Sequence, residues 1–285
     1  SIIRPTMKLA ICNEMFKGWE HARIARFCAG LGYEGAELAP FTFGTSPVAM
    51  TKEQQRALRG AYEDAGLPVI GLHWLLAGTE GLSITTEDDT ALARTAEYMK
   101  QLTRLCGALG GEVMVFGSPK QRSLEPGQDA AAAFARVVWL FKDLALAASD
   151  VGVTLCFEPL GPAETNFINT MREGVSLVEA VDHPNVRLHL DVKAMTAAEV
   201  RPPAEVIREE GGRHLRHFHA NDANLLGPGM GDVEQAPIGA ALRAVGYNRW
   251  VSVEPFTEGP GPEEIARRSL AELRRAYQEE SNGES

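Results

Sequence analysis

The sequence predicts an α/β fold, a single (β/α)8 barrel. Three observations lead there: short β-rich runs alternate with longer helical patterns, eight such runs can be counted, and no linker divides the chain. At 285 residues the chain is close to the roughly 250 that such a barrel occupies as one unit. One domain over residues 1–285 is therefore expected, with a short N-terminal extension at 1–6 and a disordered tail at 281–285.

The strand candidates in order are "KLAICNEMF" (8–16), "YEGAELA" (33–39), "PVIGLHWLL" (68–76), "EVMVFGS" (112–118), "VTLCFEP" (153–159), "VRLHLDV" (186–192), "LRHFHAN" (215–221) and "RWVSVEPF" (249–256). Between them, "TKEQQRALRGAYEDAG" opens on a Thr cap and stops at Gly66. "TEDDTALARTAEYMKQLTRLCGALG" carries acids in its first turn and ends on glycine. The run 128–149 is apolar enough to pack heavily on a sheet, whereas the last helix, 262–280, has charges at mixed spacing and reads as a solvent-facing closer. An open doubly wound sheet is the rival architecture, but it would carry a Gly-rich phosphate turn after an early strand. "GLGYEG" at 30–35 falls before a strand instead, so it is a helix stop and a loop. The Pro/Gly-rich stretches at 159–162, 227–231 and 259–262 all follow strands, which makes them loops of the active face.

Composition narrows the function classes. A chain that is 45% hydrophobic and 23% charged, with no apolar run near the roughly 20 residues of a membrane span, is expected to be soluble and cytoplasmic. The net charge of −10, without a basic cluster, speaks against a nucleic-acid partner, since phosphate binding needs concentrated positive charge. Cys12, Cys28, Cys106 and Cys156 are scattered without CxxC spacing and read as small buried hydrophobes in a reducing compartment. "SIIRPT" ahead of Met7 has no apolar core of the signal-peptide kind.

The last four strands end on Glu158, Asp191, His219 and Glu254. In a barrel these exits converge on one axis, where three carboxylates and an imidazole would repel and desolvate one another unless a cation sat among them. A divalent metal ion is the expected cofactor. The oxygen-rich donor set suits Mn²⁺, Mg²⁺ or Co²⁺, with Zn²⁺ also compatible. Period-two alternation puts Cys156, His189, His217 and Ser252 on the same inner face one layer deeper, so His189 and His217 are read as orienters of the ligands, extra ligands, or hydrogen-bonded core histidines. Glu37 and His73 end the second and third strands as candidate substrate contacts, and Trp74 is either a pocket floor or a core residue. Lys193, beside Asp191, is either a cation facing an anionic substrate or a lysine paired with a neighbouring acid. "GPGMGD" (227–232) offers a weak phosphate cradle.

The segments "FEPLGPAETNFINT", "HLDVKAM", "HFHANDANLLGPGMGD" and "GYNRWVSVEPF" resemble the xylose-isomerase-like TIM barrels, and within them the sugar isomerase/epimerase family that includes the D-tagatose and D-psicose 3-epimerases. The resemblance implies the same four metal ligands, Glu158, Asp191, His219 and Glu254. It adds Glu164 as an acid that hydrogen-bonds substrate, and homodimers or homotetramers as the assembly. It implies a metal-dependent isomerase or epimerase of a ketose-like sugar, with Mn²⁺ first among the metals. In that chemistry a polarised carbonyl and hydroxyl acidify the C–H between them, while Glu158 and Glu254 act as bases from opposite faces. Strands five and eight lie about 135° apart around the ring, as flanking requires. Three departures bear on the sugar: Ala194 stands where the family has His, Leu225 where it has Arg, and Gly161 and Pro162 where it has Asn and Arg.

Three other functions fit parts of the pattern. A metal-dependent lyase of the inosose or dehydroshikimate dehydratase type would use the same enediolate and expel a β-hydroxyl. A zinc hydrolase of the AP-endonuclease type would need a histidine-rich multinuclear site and a basic surface, against seven His and an acidic chain. A non-enzymatic sugar-binding barrel would return its ligand intact.

Overall fold

The computed structural model describes residues 6–278. Eight parallel strands close into a barrel in chain order: β1 (Lys8–Cys12), β2 (Gly35–Leu38), β3 (Val69–Leu72), β4 (Val113–Phe116), β5 (Thr154–Phe157), β6 (Val186–Asp191), β7 (Leu215–Ala220) and β8 (Trp250–Val253). Each lies inside a predicted run but is only four to six residues long. The residues beyond each strand leave the ladder to build the mouth, which is why Glu158 and Glu254 stand one position past their strands. Residues 1–5 of the expected N-terminal extension and the tail 281–285 lie outside the described residues.

The outer ring comprises α1 (His21–Leu31), α2 (Lys52–Glu63), α3 (Asp89–Ala108), α4 (Ala130–Asp150), α5 (Met171–Val181), α6 (Val192–Ala198), α7 (Pro203–Val206), α8 (Gln235–Ala244) and α9 (Pro262–Leu273). Short polar caps start the long helices. Thr51 accepts from the Gln54 amide, and Gln54 Oε1 accepts in return from the Thr51 amide, a reciprocal box that satisfies two orphan donors. Thr170 and Glu173 repeat it on α5, and Asp88 caps α3. The helix α9 differs from the solvent-facing closer that its charges predict. It buries Ile265, Ala266, Leu270 and Leu273 and leaves only the opposite face to water, because the outer wall of a barrel needs an apolar cover at every crossover.

Two register shifts bear on the site. One falls between Ala36 and Glu37 where β2 meets β3, the other between Leu188 and His189 where β6 meets β7. In each the partner strand carries the one extra residue, Ile70 on β3 and Arg216 on β7.

Candidate metal centre

Asp191 and His219 are direct ladder partners across β6 and β7, and His219 pairs with Ser252 across β7 and β8. Glu254 therefore stands two residues beyond His219's neighbour, and Glu158 enters from β5 through a ladder bond from its amide to Phe116 O at 3.0 Å. Donor atoms of Glu158, Asp191, His219 and Glu254 all lie within 4.8 Å of one another, and all four residues are buried. The four strand-exit residues picked out by spacing thus meet at one point.

Their electrostatics call for positive charge. Burial, reinforced by Asp191 and Glu254, pushes the Glu158 carboxyl well above its ordinary range, and burial with Glu254 raises Asp191 to about 6. Burial opposes a charge on His219, yet Glu37 and Glu254 hold its proton affinity well above normal. Glu254 is also desolvated, but His219 outweighs that and keeps it ionised. The imidazole shows how the demand is met: His219 Nε2 is bound to Glu37 Oε2, while Nδ1 lies 2.7 Å from Glu254 Oε2 without forming a hydrogen bond. A buried nitrogen and a carboxylate oxygen aimed at the same space suit a shared cation, and this O₃N donor set fits a divalent metal of intermediate hardness.

A layer of polar residues below orients these groups. Glu37 is fully buried, and its two oxygens are taken by His217 Nε2 and His219 Nε2, so it faces imidazoles rather than the open mouth where the sequence places a substrate contact. The physical reason is its place in the ladder: Glu37 lies inside β2, paired with Cys12 of β1, and not past the strand's end. Cys12 Sγ adds a contact to Glu37 Oε2 at 2.9 Å. His189 is buried with neither ring nitrogen hydrogen-bonded, its ring 4.2 Å from that of His219 and its Nε2 3.8 Å from Glu158 Oε1. The hydrogen-bonded core reading thus holds for His217 but not for His189.

At the mouth, His73, Trp74, Glu158, Glu164, Glu254 and Phe256 line a narrow cleft of about 20 Å³. His73 Nε2 lies 2.5 Å from Glu14 Oε2; burial lowers the His73 proton affinity, but Glu14 raises it further, for a net rise. Lys193 donates to Glu164 Oε1 at 3.0 Å and rests 3.8 Å from the Phe256 ring centroid, so the pairing expected of a lysine near acids is present. Trp74 stands at the cleft wall with φ 53°, a left-handed backbone that a bulky residue adopts only under constraint. The "GPGMGD" loop has a different use from an anion cradle. Asp222 Oδ1 accepts from the Ala223 and Val233 amides at 2.8 and 3.3 Å, and a Cβ at Gly231 would fall 2.3 Å from the same oxygen, so the loop closes on its own carboxylate.

Several residues escape the reading of spacing alone. Asn221 donates to Asp191 Oδ2 at 2.7 Å and accepts from the Lys193 amide at 2.8 Å, fixing that carboxylate. Its signal was present, since it continues the inward row His217, His219 by two. The fully buried Arg122 donates to the carbonyls of Gly117, Glu158, Phe167 and Ile168 and so ties the β4 and β5 loops together. Gly117 makes room for the Glu158 carboxylate, because a Cβ there would sit 2.5 Å from Glu158 Oε2. Ala194, one of the three departures, donates its amide to Asp191 Oδ1 at 2.8 Å.

A closed parallel barrel that gathers three carboxylates and an imidazole at its strand exits is a metal-competent barrel, and the chain belongs to the xylose isomerase-like TIM barrel family, whose model matches residues 25–276. The chain is similar to the D-psicose 3-epimerase of Ruminiclostridium cellulolyticum, at 36% identity over 126 residues, which is 44% of this chain and 42% of that protein. It thus spans less than half the length of that relative in the match. Its similarity to the L-ribulose 3-epimerase of Methylomonas sp. (strain DH-1) is lower but longer, 28% over 244 residues, 84% of this chain and 80% of the other. A crystal structure of D-psicose 3-epimerase in the presence of D-fructose superposes with a TM-score of 0.84 at 24% identity, covering 95% of this chain and 99% of that one. At that identity the likeness is one of fold.

Proposed function

We propose that this protein is a divalent-metal-dependent epimerase or isomerase of a ketose-like sugar, with Glu158, Asp191, His219 and Glu254 as metal ligands and Glu158 and Glu254 as the proton-transfer groups. The observation that carries this reading is the convergence of the four donor groups within 4.8 Å, with both glutamates also lining one cleft. The names of the similar proteins, ketose 3-epimerases, support the substrate class. When bound, a divalent cation would supply Lewis acidity, making a C–H beside a carbonyl easier to ionise. The chain's own residues do the rest. Glu158, entering from β5, and Glu254, entering from β8, face opposite sides of the carbon, and one takes the proton while the other returns one. Arg122 holds the Glu158 carbonyl at 2.6 Å and keeps that arm in place. Glu164, paired with Lys193, stands at the cleft wall to accept from a sugar hydroxyl. Mn²⁺ is proposed as the metal, and a homodimer or homotetramer as the assembly.

Incubating the Mn²⁺-loaded protein with D-fructose, D-tagatose and L-ribulose in D₂O tests the reading. Deuterium uptake at one carbon with formation of the epimer is expected, and a product lighter by one water would replace it with a dehydratase. Glu158→Gln and Glu254→Gln should each lower exchange by at least about 10²-fold, the ordinary contribution of a positioned acid–base group.

A further inference from the structure

The exits of β1 and β3 carry a second cluster of donor groups, separate from the four residues that β5 to β8 bring together. Cys12 closes β1, Glu14 follows it by two residues, and His73 follows β3 by one. Donor atoms of these three lie within 4.8 Å of one another, as close as those of the four-residue centre. Cys12 and His73 are fully buried, and the Glu14 side chain, 11% exposed, reaches the cluster from its edge. The three do not exhaust their bonding capacity on one another. Glu14 Oε2 meets His73 Nε2 at 2.5 Å, which leaves Glu14 Oε1 buried without a hydrogen-bond partner. His73 Nδ1 is also buried and unbonded, 3.7 Å from Glu37 Oε2. The Cys12 thiol donates to Glu37 Oε2 at 2.9 Å and keeps its sulfur lone pairs.

Buried polar atoms without partners are destabilising, and two in one cluster call for a third party that supplies the missing bonds. A cation does so for a carboxylate oxygen and an imidazole nitrogen at once. The donor chemistry differs from that of the first centre. Three carboxylates and an imidazole suit a harder ion, whereas one sulfur, one nitrogen and one oxygen suit a borderline one such as Zn²⁺ or Co²⁺. Three protein ligands leave a fourth position open, and His73 lines the same narrow cleft as Glu158 and Glu254, so that position has access to the cleft. We propose that Cys12, Glu14 and His73 form a second cation site on the β1 and β3 side of the barrel mouth, selective for Zn²⁺ or Co²⁺ over Mn²⁺. Coordination replaces the S–H bond of Cys12 with a sulfur–ion bond, and the proton passes to solvent. The two sites share no ligand, and the second does not depend on the ketose reading above.

Reloading the chelator-stripped protein with Co²⁺, followed by elemental analysis and absorption spectroscopy, tests this. Two Co²⁺ per chain are expected, with a thiolate-to-cobalt charge-transfer band in the near ultraviolet, whereas Mn²⁺ should fill the first centre alone. Cys12→Ala should remove the band and the second ion and keep the first. Asp191→Ala should do the reverse, losing the first ion and keeping the band. Glu14→Gln, at the partly exposed edge, should weaken binding of the second ion at least tenfold, the lower end of what losing even an outer partner of a ligand costs, and it decides the matter if Cys12→Ala does not fold. One Co²⁺ per chain without the band, a band that survives Cys12→Ala, or unchanged affinity in Glu14→Gln would overturn the site. Exchange on D-fructose in D₂O judges the reaction separately. Exchange with a single Co²⁺ per chain removes only the second site, and the band without exchange removes only the epimerase reading.

Discussion

Gly117 shows how a residue with no chemistry of its own can set the site. Its missing Cβ leaves the space taken by Glu158 Oε2, and that oxygen is the far end of a flexible side chain. Gly117→Ala should therefore leave the melting temperature nearly unchanged while displacing the carboxylate, and a misplacement of about 1 Å costs up to about 10²-fold in rate. Thermal melts and D₂O exchange on the same preparation measure both halves of that expectation. Asn221 acts on the neighbouring carboxylate, gripping Asp191 Oδ2 while its own side-chain carbonyl holds the start of α6. Its replacement by Ala should weaken Mn²⁺ binding by about 10- to 100-fold, as loss of a ligand's orienting partner does. Calorimetric titration of the metal reads this directly. Non-glycine residues in the left-handed region gather on this face as well: Trp74, Ser118, Ile168 and Leu225 all lie in loops that follow strands. Backbone strain is thus concentrated where the mouth is built.

The strands are short, and their spacing leaves little slack at the scale of the element. Gly71 on β3 faces β4 so closely that a Cβ would lie 2.2 Å from the Val113 carbonyl oxygen, which is backbone and cannot move aside cheaply. Gly71→Ala should cost about 1–3 kcal/mol of stability, the range of overpacking in a filled core, and a shift in the denaturant midpoint would register it. Two elements depart from what their pattern predicts. The helix α9 carries charges along one face only, and its other face covers the barrel. The second strand carries an acid near its end, as its sequence shows, but Glu37 lies within the ladder level with Cys12 of β1 and meets His217 and His219 instead of facing the mouth. Pattern gives the face a strand residue takes but not the depth at which it sits in the barrel.

For the whole molecule, the consequence of the site is coupling between ion and fold. Glu158 and Asp191 are held above their ordinary proton affinities mainly by burial and then by neighbouring carboxylates, Asp191 and Glu254 for the first and Glu254 for the second, so a cation that binds only the folded barrel must stabilise it. Mn²⁺ at about 100 times its dissociation constant should add about 2.7 kcal/mol and raise the melting temperature, and chelation should reverse the gain. Asp191→Ala should abolish the metal-dependent part of that shift, which scanning calorimetry with and without Mn²⁺ would show. Among the described residues no helix is long and apolar enough to cross a membrane. By itself, the sequence determined the eight-stranded closed barrel and the four residues at its last exits, because strand periodicity and barrel closure are local rules applied eight times. Only the tertiary structure decided what supports them and what surrounds them. Glu37 reaches His217 and His219 across 180 and 182 residues of chain, Arg122 binds carbonyls as much as 46 residues away, and Trp74 is turned by a backbone angle that no spacing encodes. Such contacts form between side chains that meet only when the ring closes, so their partners are set by three-dimensional register rather than by distance along the chain.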